Sequence, residues 1–360
     1  MRKCSIIIIS LLLCNAGLAQ EIKWAEGRTL TVEGKAGKGQ RDHFYDRLPG
    51  SAKKEARQEL WDLAQHSAGL CIRFSTDSPN IHARWTLRFD TNMPHLTCCV
   101  TNGIDLYALD EQSGKWLWAG LVKPYKKSDN SGAILKNLPK EMRHYMLYLP
   151  MYNGIDSVFI GTDSDAQLLS FERNSKHKPV VFYGTSIMQG ASASRCGLAA
   201  TAILGRFFNV ETINLGFSGN ARMESVIGDV MTSMDASCYV VDCLPNMTLA
   251  MINERAATFI KQLKTVKPHI PIILVECSPN EAGWLDQSEE TRINEKNKAF
   301  YAIYQELLAN GYTDIYYVPN TTLIGNDREA TIDGTHYNDL GFVRYSECLK
   351  SVLGKILSER

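Results

Sequence analysis

Ser186 lies in Tyr183-Gly184-Thr185-Ser186-Ile187, directly after a short apolar run. A serine hydroxyl is a weak nucleophile at neutral pH. It needs a base, usually an imidazole, and the base needs a carboxylate to fix its tautomer. Those two partners stand together near the other end of the chain, in Asp333-Gly334-Thr335-His336. At that spacing both can point into one cleft from a single loop. Attack on an acyl carbon puts negative charge on the carbonyl oxygen, which backbone N–H groups or a side-chain amide can stabilise. Two further stretches offer such donors. In Asn214-Leu215-Gly216-Phe217-Ser218-Gly219-Asn220, Gly219 permits close backbone approach. In Asp242-Cys243-Leu244-Pro245-Asn246, the donor is the Asn246 amide.

Each fragment also has a plain structural use. Ser after Gly commonly caps a helix. Asp333 could cap a turn beside a surface His336, and Gly and Asn are ordinary in strand-to-helix turns. The combination points further. A hydroxyl, a Gly N–H, an amide and an Asp/His pair each follow an apolar strand-like run or the last one, and an α/β sheet gathers such loops at one edge.

The elements that would hold these residues begin near residue 179. Val180-Val181-Phe182-Tyr183, Tyr239-Val240-Val241, Ile272-Ile273-Leu274-Val275 and Ile315-Tyr316-Tyr317-Val318 are continuous apolar runs. Helical patterns separate them: Ala256, Phe259, Ile260 and Leu263 share a face, as do Ile293, Phe300, Ile303, Tyr304, Leu307 and Leu308 before Gly311. A last amphipathic helix spans Phe342 to Leu357. Strands buried on both faces and alternating with helices imply a parallel sheet covered on each side. From about residue 70 to 172 the period is two instead. Ile81, Ala83, Trp85, Leu87 and Phe89 alternate with His82, Arg84, Thr86 and Arg88. Turn signals at Ser78-Pro79-Asn80, Asn102-Gly103, Ser113-Gly114 and Asn153-Gly154 predict short strands in a sandwich or jelly roll, with a hairpin from Tyr107 to Trp118. A helical insert fits Ala52–Gln65, and Gly27–Gly39 reads as an exposed strand or loop. The polar stretch Arg173–Lys178 marks the change of pattern, giving domains at 21–174 and 175–360.

Residues 1–20 have the form of a secretory signal peptide: Arg2 and Lys3, an apolar run from Ser5 to Leu13, then Gly17-Leu18-Ala19. The run is too short to span a bilayer. Export to the periplasm or medium follows as an expectation. Lys plus Arg and Asp plus Glu number 39 each, which argues against nucleic acid as a partner. Of ten cysteines, eight lie beyond the leader: Cys71, Cys98, Cys99, Cys196, Cys238, Cys243, Cys277 and Cys348. Most sit in apolar runs as small hydrophobes, though export would let some pair. No spacing reads as a metal site, and none of the chemistry needs a cofactor.

The four fragments resemble the conserved blocks of the SGNH (GDSL-type) hydrolases over roughly residues 179–357. That resemblance implies a flavodoxin-like α/β/α sandwich with a five-stranded parallel sheet. It also implies Ser186 as nucleophile, His336 as general base, and Asp333 as the group orienting it. The N–H groups of Ser186 and Gly219 and the Asn246 side chain would form the oxyanion hole. The first block reads Gly-Thr-Ser-Ile where the family often has Gly-Asp-Ser-Leu, and Leu-Pro-Asn-Met stands where Gly-x-Asn-Asp is usual. Asp-Gly-Thr-His is the most specific match. Gly103-Ile104-Asp105-Leu106-Tyr107 is similar to the GxDLY motif of a β-domain that precedes some bacterial esterases of this type. For Asp105 and Tyr107 a turn followed by a strand is a sufficient structural account.

The leading expectation is hydrolysis of small acyl esters, above all O-acetyl groups on carbohydrates. A lipid esterase or thioesterase is the second enzyme reading and needs a long acyl channel. A carbohydrate-binding protein with a degenerate hydrolase domain is the third. It would use Trp116 and Trp118 as stacking platforms, but their hairpin spacing predicts core packing. Nothing in the sequence fixes the oligomeric state.

Overall fold

The structure is a computed structural model and describes residues 21–359. The expected leader lies outside the described residues. Ten antiparallel strands come first. They are β1 (Ile22–Glu26), β2 (Thr31–Glu33), β3 (Cys71–Thr76), β4 (Ile81–Leu87), β5 (Ile104–Asp110), β6 (Lys115–Val122), β7 (Asp129–Leu135), β8 (Arg143–Tyr148), β9 (Ile155–Asp163) and β10 (Leu168–Ser170). Two short helices, α1 (Gln58–Ala64) and α2 (Cys98–Thr101), interrupt them. One sheet runs β1-β9-β4-β7. The other runs β10-β3-β8-β5-β6, with β2 beside β3. Their inner faces share a core of Ile72, Phe74, Ile81, Ala83, Trp85, Leu106, Leu147 and Val158, among others. Strand β4 alternates as its sequence requires: Ile81, Ala83, Trp85 and Leu87 are buried while Arg84 is exposed. Gly114, at φ +67°, closes the hairpin between β5 and β6, and its N–H reaches the Asp110 carbonyl at 2.8 Å.

The second half is a parallel sheet of β11 (Val180–Gly184), β12 (Thr212–Gly216), β13 (Cys238–Asp242), β14 (Ile272–Val275) and β15 (Ile315–Val318), ordered β12-β11-β13-β14-β15. This is the flavodoxin-like order. Successive residues of each strand feed opposite layers. Val181, Tyr183, Tyr239, Val241, Ile272 and Leu274 enter one core. Val180, Phe182, Cys238, Val240, Ile273 and Val275 enter the other. Residues of α5 (Ser225–Thr232), α6 (Leu249–Val266) and α7 (Gln287–Ala309) cover the first layer. Residues of α4 (Ala200–Phe208) and α8 (Asp339–Ser358) cover the second. A four-residue turn of helix, α3 (Ser186–Gln189), follows β11.

Several expectations are corrected. Gly27–Gly39, expected as an exposed strand or loop, is a strand segment that is largely sheltered. It contains β2; Glu33 is buried against Arg173, whose Nη2 donates at 2.6 Å, and Ala36 is wholly buried. The insert at 52–65 is a 3-10 turn over Gly50–Lys54 followed by α1. Its Ala52, Leu60, Trp61 and Ala64 pack in the core layer of the parallel sheet, not in the sandwich. Asn214, Leu215 and Gly216 end strand β12 instead of forming a loop. Leu308 lies outside the buried face of α7 and is exposed. Trp118 is half exposed; it keeps a hydrogen bond from its indole N–H to Asp105 at 2.8 Å. All eight described cysteines are free thiols, five of them buried.

Candidate active site

Strand β11 ends at the point where the strand order reverses, with Gly184 level with Gly216 on one side and Asp242 on the other. That crevice is where open α/β sheets bind ligands. Gly184 is required there: a Cβ would lie 2.7 Å from the Met188 side chain and 2.8 Å from the Asp242 carbonyl. Thr185 caps the turn that follows, its hydroxyl accepting from the Ile187 N–H at 3.3 Å. Ser186 is therefore the first helical residue, with relative exposure of 8%.

Ser186 Oγ lies 2.9 Å from His336 Nε2. His336 Nδ1 lies 2.7 Å from Asp333 Oδ2. The carboxylate fixes the proton on Nδ1, which leaves Nε2 to accept from the serine. Asp333 Oδ1 accepts from the backbone N–H groups of His336 at 2.8 Å and Thr335 at 3.0 Å. Partial burial would raise the Asp333 pKa. The hydrogen bonds from the His336 backbone and ring and from Thr335 outweigh it and hold the group below the usual carboxylate range. The Asp/His loop is itself pinned. Gly334 turns at φ +87°, and the Ile332 N–H donates to the His336 carbonyl at 2.9 Å. Glu281, on the segment after β14, accepts from Ala330 N at 2.7 Å and Thr331 N at 3.0 Å.

Gly219 turns at φ +69° with open space where a Cβ would be. Asn246, on the turn after β13, accepts through Oδ1 from Ala221 N at 3.2 Å, which ties it to the Gly219 loop and directs its amide N–H groups away from that bond. The same loop is tied to the serine turn by Gln189, whose Oε1 accepts from Ser218 N at 3.0 Å. Asn214, buried in β12, donates to the Met188 carbonyl at 2.9 Å. Tyr152, from the end of the β-domain, donates to the Ser186 carbonyl at 3.2 Å. So Ser186, His336 and Asp333 form one hydrogen-bonded chain, and the Gly219 loop after β12 is hydrogen-bonded to Asn246 on the turn after β13. The sequence reading missed Glu281, Asn214, Gln189 and Tyr152. Gln189 alone carried a signal, since it sits one helical turn beyond Ser186.

A family profile described as GDSL-like lipase/acylhydrolase matches residues 177–354. A second, the N-terminus of SGNH-hydrolase-type esterases with the GxDLY motif, matches residues 22–168. A GDSL-like lipase from Bacteroides ovatus superimposes with a TM-score of 0.89 at 33% identity, over 94% of this chain and 98% of that one. The chain belongs to the GDSL-like lipase/acylhydrolase family. It is thus a hydrolase of the esterase type, with the SGNH fold behind a GxDLY β-domain. A salicylyl-acyltransferase from a tetracycline biosynthetic pathway shares the fold at TM-score 0.74 and 15% identity, over 93% of this chain and 97% of that one. An acetyl xylan esterase from the rumen bacterium Butyrivibrio proteoclasticus does so at 0.56 and 11%, over 94% and 99%. Among curated proteins no relative is matched.

Asp105 and Tyr107 of the GxDLY motif do not line the serine site. Asp105 accepts from Arg195 Nη1 at 2.9 Å and Gly197 N at 2.8 Å, and Arg195 also donates to the Tyr107 hydroxyl. The motif clasps the β-domain to the segment that follows the serine turn. Among the described residues no helix is long and apolar enough to cross a membrane.

Proposed function

We propose that this enzyme removes small acyl groups, chiefly acetyl, from the hydroxyls of carbohydrates. Ser186 is the nucleophile, His336 the general base, and Asp333 the group that orients it. His336 Nε2 takes the hydroxyl proton as Ser186 Oγ bonds to the ester carbon. The N–H groups of Ser186 and Gly219 and the Asn246 amide hold the oxyanion. The bond to the alcohol oxygen breaks, and that oxygen leaves with the proton from His336. Water then repeats the sequence on the acyl-enzyme, releasing the acid and the free serine. The observation that carries this reading is the unbroken chain from Ser186 Oγ through His336 to Asp333. The acetyl xylan esterase among the fold relatives supports the choice of substrate class. Division of the chain at residues 174 and 175, and export by the leader at 1–20, belong to the same proposal.

Turnover of 4-nitrophenyl esters tests it. Activity should fall as the acyl chain lengthens from acetate to octanoate. A rise would favour a lipid esterase instead. Ser186→Ala should lower kcat by about 10⁴-fold or more. Unchanged turnover in that variant would remove this mechanism, whereas no turnover by the unaltered protein would favour a binding protein on a hydrolase fold.

A further inference from the structure

The β-domain sends an imidazole against the catalytic histidine. His95 lies on the segment between β4 and α2, and its ring centroid is 5.4 Å from that of His336, tilted by 40°. The segment is held on both flanks. Ser192 Oγ donates to the His95 carbonyl at 3.2 Å, and Thr97 Oγ1 donates to the Ser194 carbonyl at 2.7 Å. Ser192 adopts φ +68°, a left-handed conformation that costs a non-glycine residue free energy, and is thereby aimed at the β-domain. Ser192 and Ser194 follow the serine turn, whose Ser186 carbonyl accepts from Gly190 N at 3.0 Å and Ala191 N at 2.9 Å. Met93 and Leu96 on either side of His95 pack into the core beneath. The imidazole is half-buried, and neither ring nitrogen is engaged by another described residue.

The chemistry tells which part of an ester such a group meets. His336 Nε2 must reach both Ser186 Oγ and the departing alcohol oxygen, because it carries the proton from one to the other. The proposed oxyanion donors are instead Ser186 N, Gly219 N and the Asn246 amide, none of which carries that proton. A side chain packed against the His336 ring therefore flanks the alcohol portion, not the acyl portion. We infer that His95 is a specificity-determining residue: its free ring nitrogens hydrogen-bond oxygens on the alcohol half of a polyhydroxylated, acetylated substrate. This rests on the proposed function and deepens it, since it assigns recognition of the sugar to the β-domain.

All acetate esters share one acetyl-enzyme, so differences in kcat/KM between them arise in the step that expels the alcohol. Two acetates are compared: 4-nitrophenyl acetate, whose alcohol offers no hydroxyl, and a mono-O-acetyl xylose, whose sugar keeps its remaining hydroxyls. His95→Ala should lower kcat/KM on the sugar ester by about 10-fold or more and on the aryl ester by less than about 3-fold. His95→Phe keeps the ring but not its nitrogens, and should match His95→Ala on both substrates. Melting curves show whether each variant is folded. If His95→Phe retains turnover of the sugar ester, or if both substrates fall together, His95 only packs and the inference is wrong. Turnover of the aryl ester alone by the unaltered enzyme would also overturn it, while leaving ester hydrolysis intact. No turnover of either ester would overturn the proposed function itself, and this inference with it.

Discussion

The Asn246 amide is the residue on which the oxyanion account depends most visibly. Its oxygen is committed to Ala221 N, so its N–H groups are what remain for a substrate oxyanion. Asn246→Ala should lower kcat by about 10²- to 10³-fold while moving KM little, because the donated bond strengthens only as charge develops. A loss of kcat accompanied by a lowered melting temperature would instead point to a loop that has come apart. Asp333 shows why residue types alone carried part of the site. An aspartate three before a histidine can orient it through one loop, and that local geometry is readable from spacing. Glu281 was not readable, because it acts from a different strand end and binds backbone groups that no side-chain pattern reveals.

At the scale of elements, the parallel strands were legible because burial on both faces writes a continuous apolar run. Strand β12 was less so. Asn214 interrupts its pattern; its amide donates to the Met188 carbonyl of the serine turn and to Thr201 of α4, and its oxygen accepts from Gly216 N. Strand β13 carries a comparable exception at its end. Asp242 is buried, and burial pushes its carboxyl up to about 7, opposed in part by the hydrogen bond from the Tyr345 hydroxyl at 2.7 Å. In the unfolded chain the same group ionises near 3.8. The folded state thus favours the neutral acid. That contribution is fully present below the unfolded pKa and is lost as pH rises through the folded value. Asp242→Asn can still accept from Tyr345 but cannot ionise. Its melting temperature should fall less than that of the unaltered protein between pH 5 and pH 8. Parallel profiles would show that Asp242 is already satisfied as a carboxylate.

Across the whole molecule, the two halves are joined by polar groups buried where the sequence offered no cue. Arg47 has no solvent exposure, yet it donates to the carbonyls of Leu63 at 2.6 Å, His66 at 3.0 Å, Asn214 at 2.9 Å and Gly216 at 2.7 Å, with its guanidinium over the Phe217 ring. Burial, only partly offset by Tyr152 and Asp46, lowers its pKa to about 9. It ties the N-terminal segment to the strand that leads into the Gly219 loop. Composition and periodicity mark an arginine as surface, and only the assembled fold turns it inward. Arg47→Met should cost about 3 kcal/mol or more in chemical denaturation, since the carbonyls lose their donors together. A change under about 1 kcal/mol would mean that other groups replace it. The proposed function rests on another long-range link: Ser186 and His336 are 150 residues apart in sequence and 2.9 Å apart in the fold. Mass spectrometry of the folded protein after treatment with a fluorophosphonate tests that link most directly. A single adduct on Ser186, lost in His336→Ala, is the expected result; a protein left unmodified at Ser186, or labelled at a different serine, would contradict it.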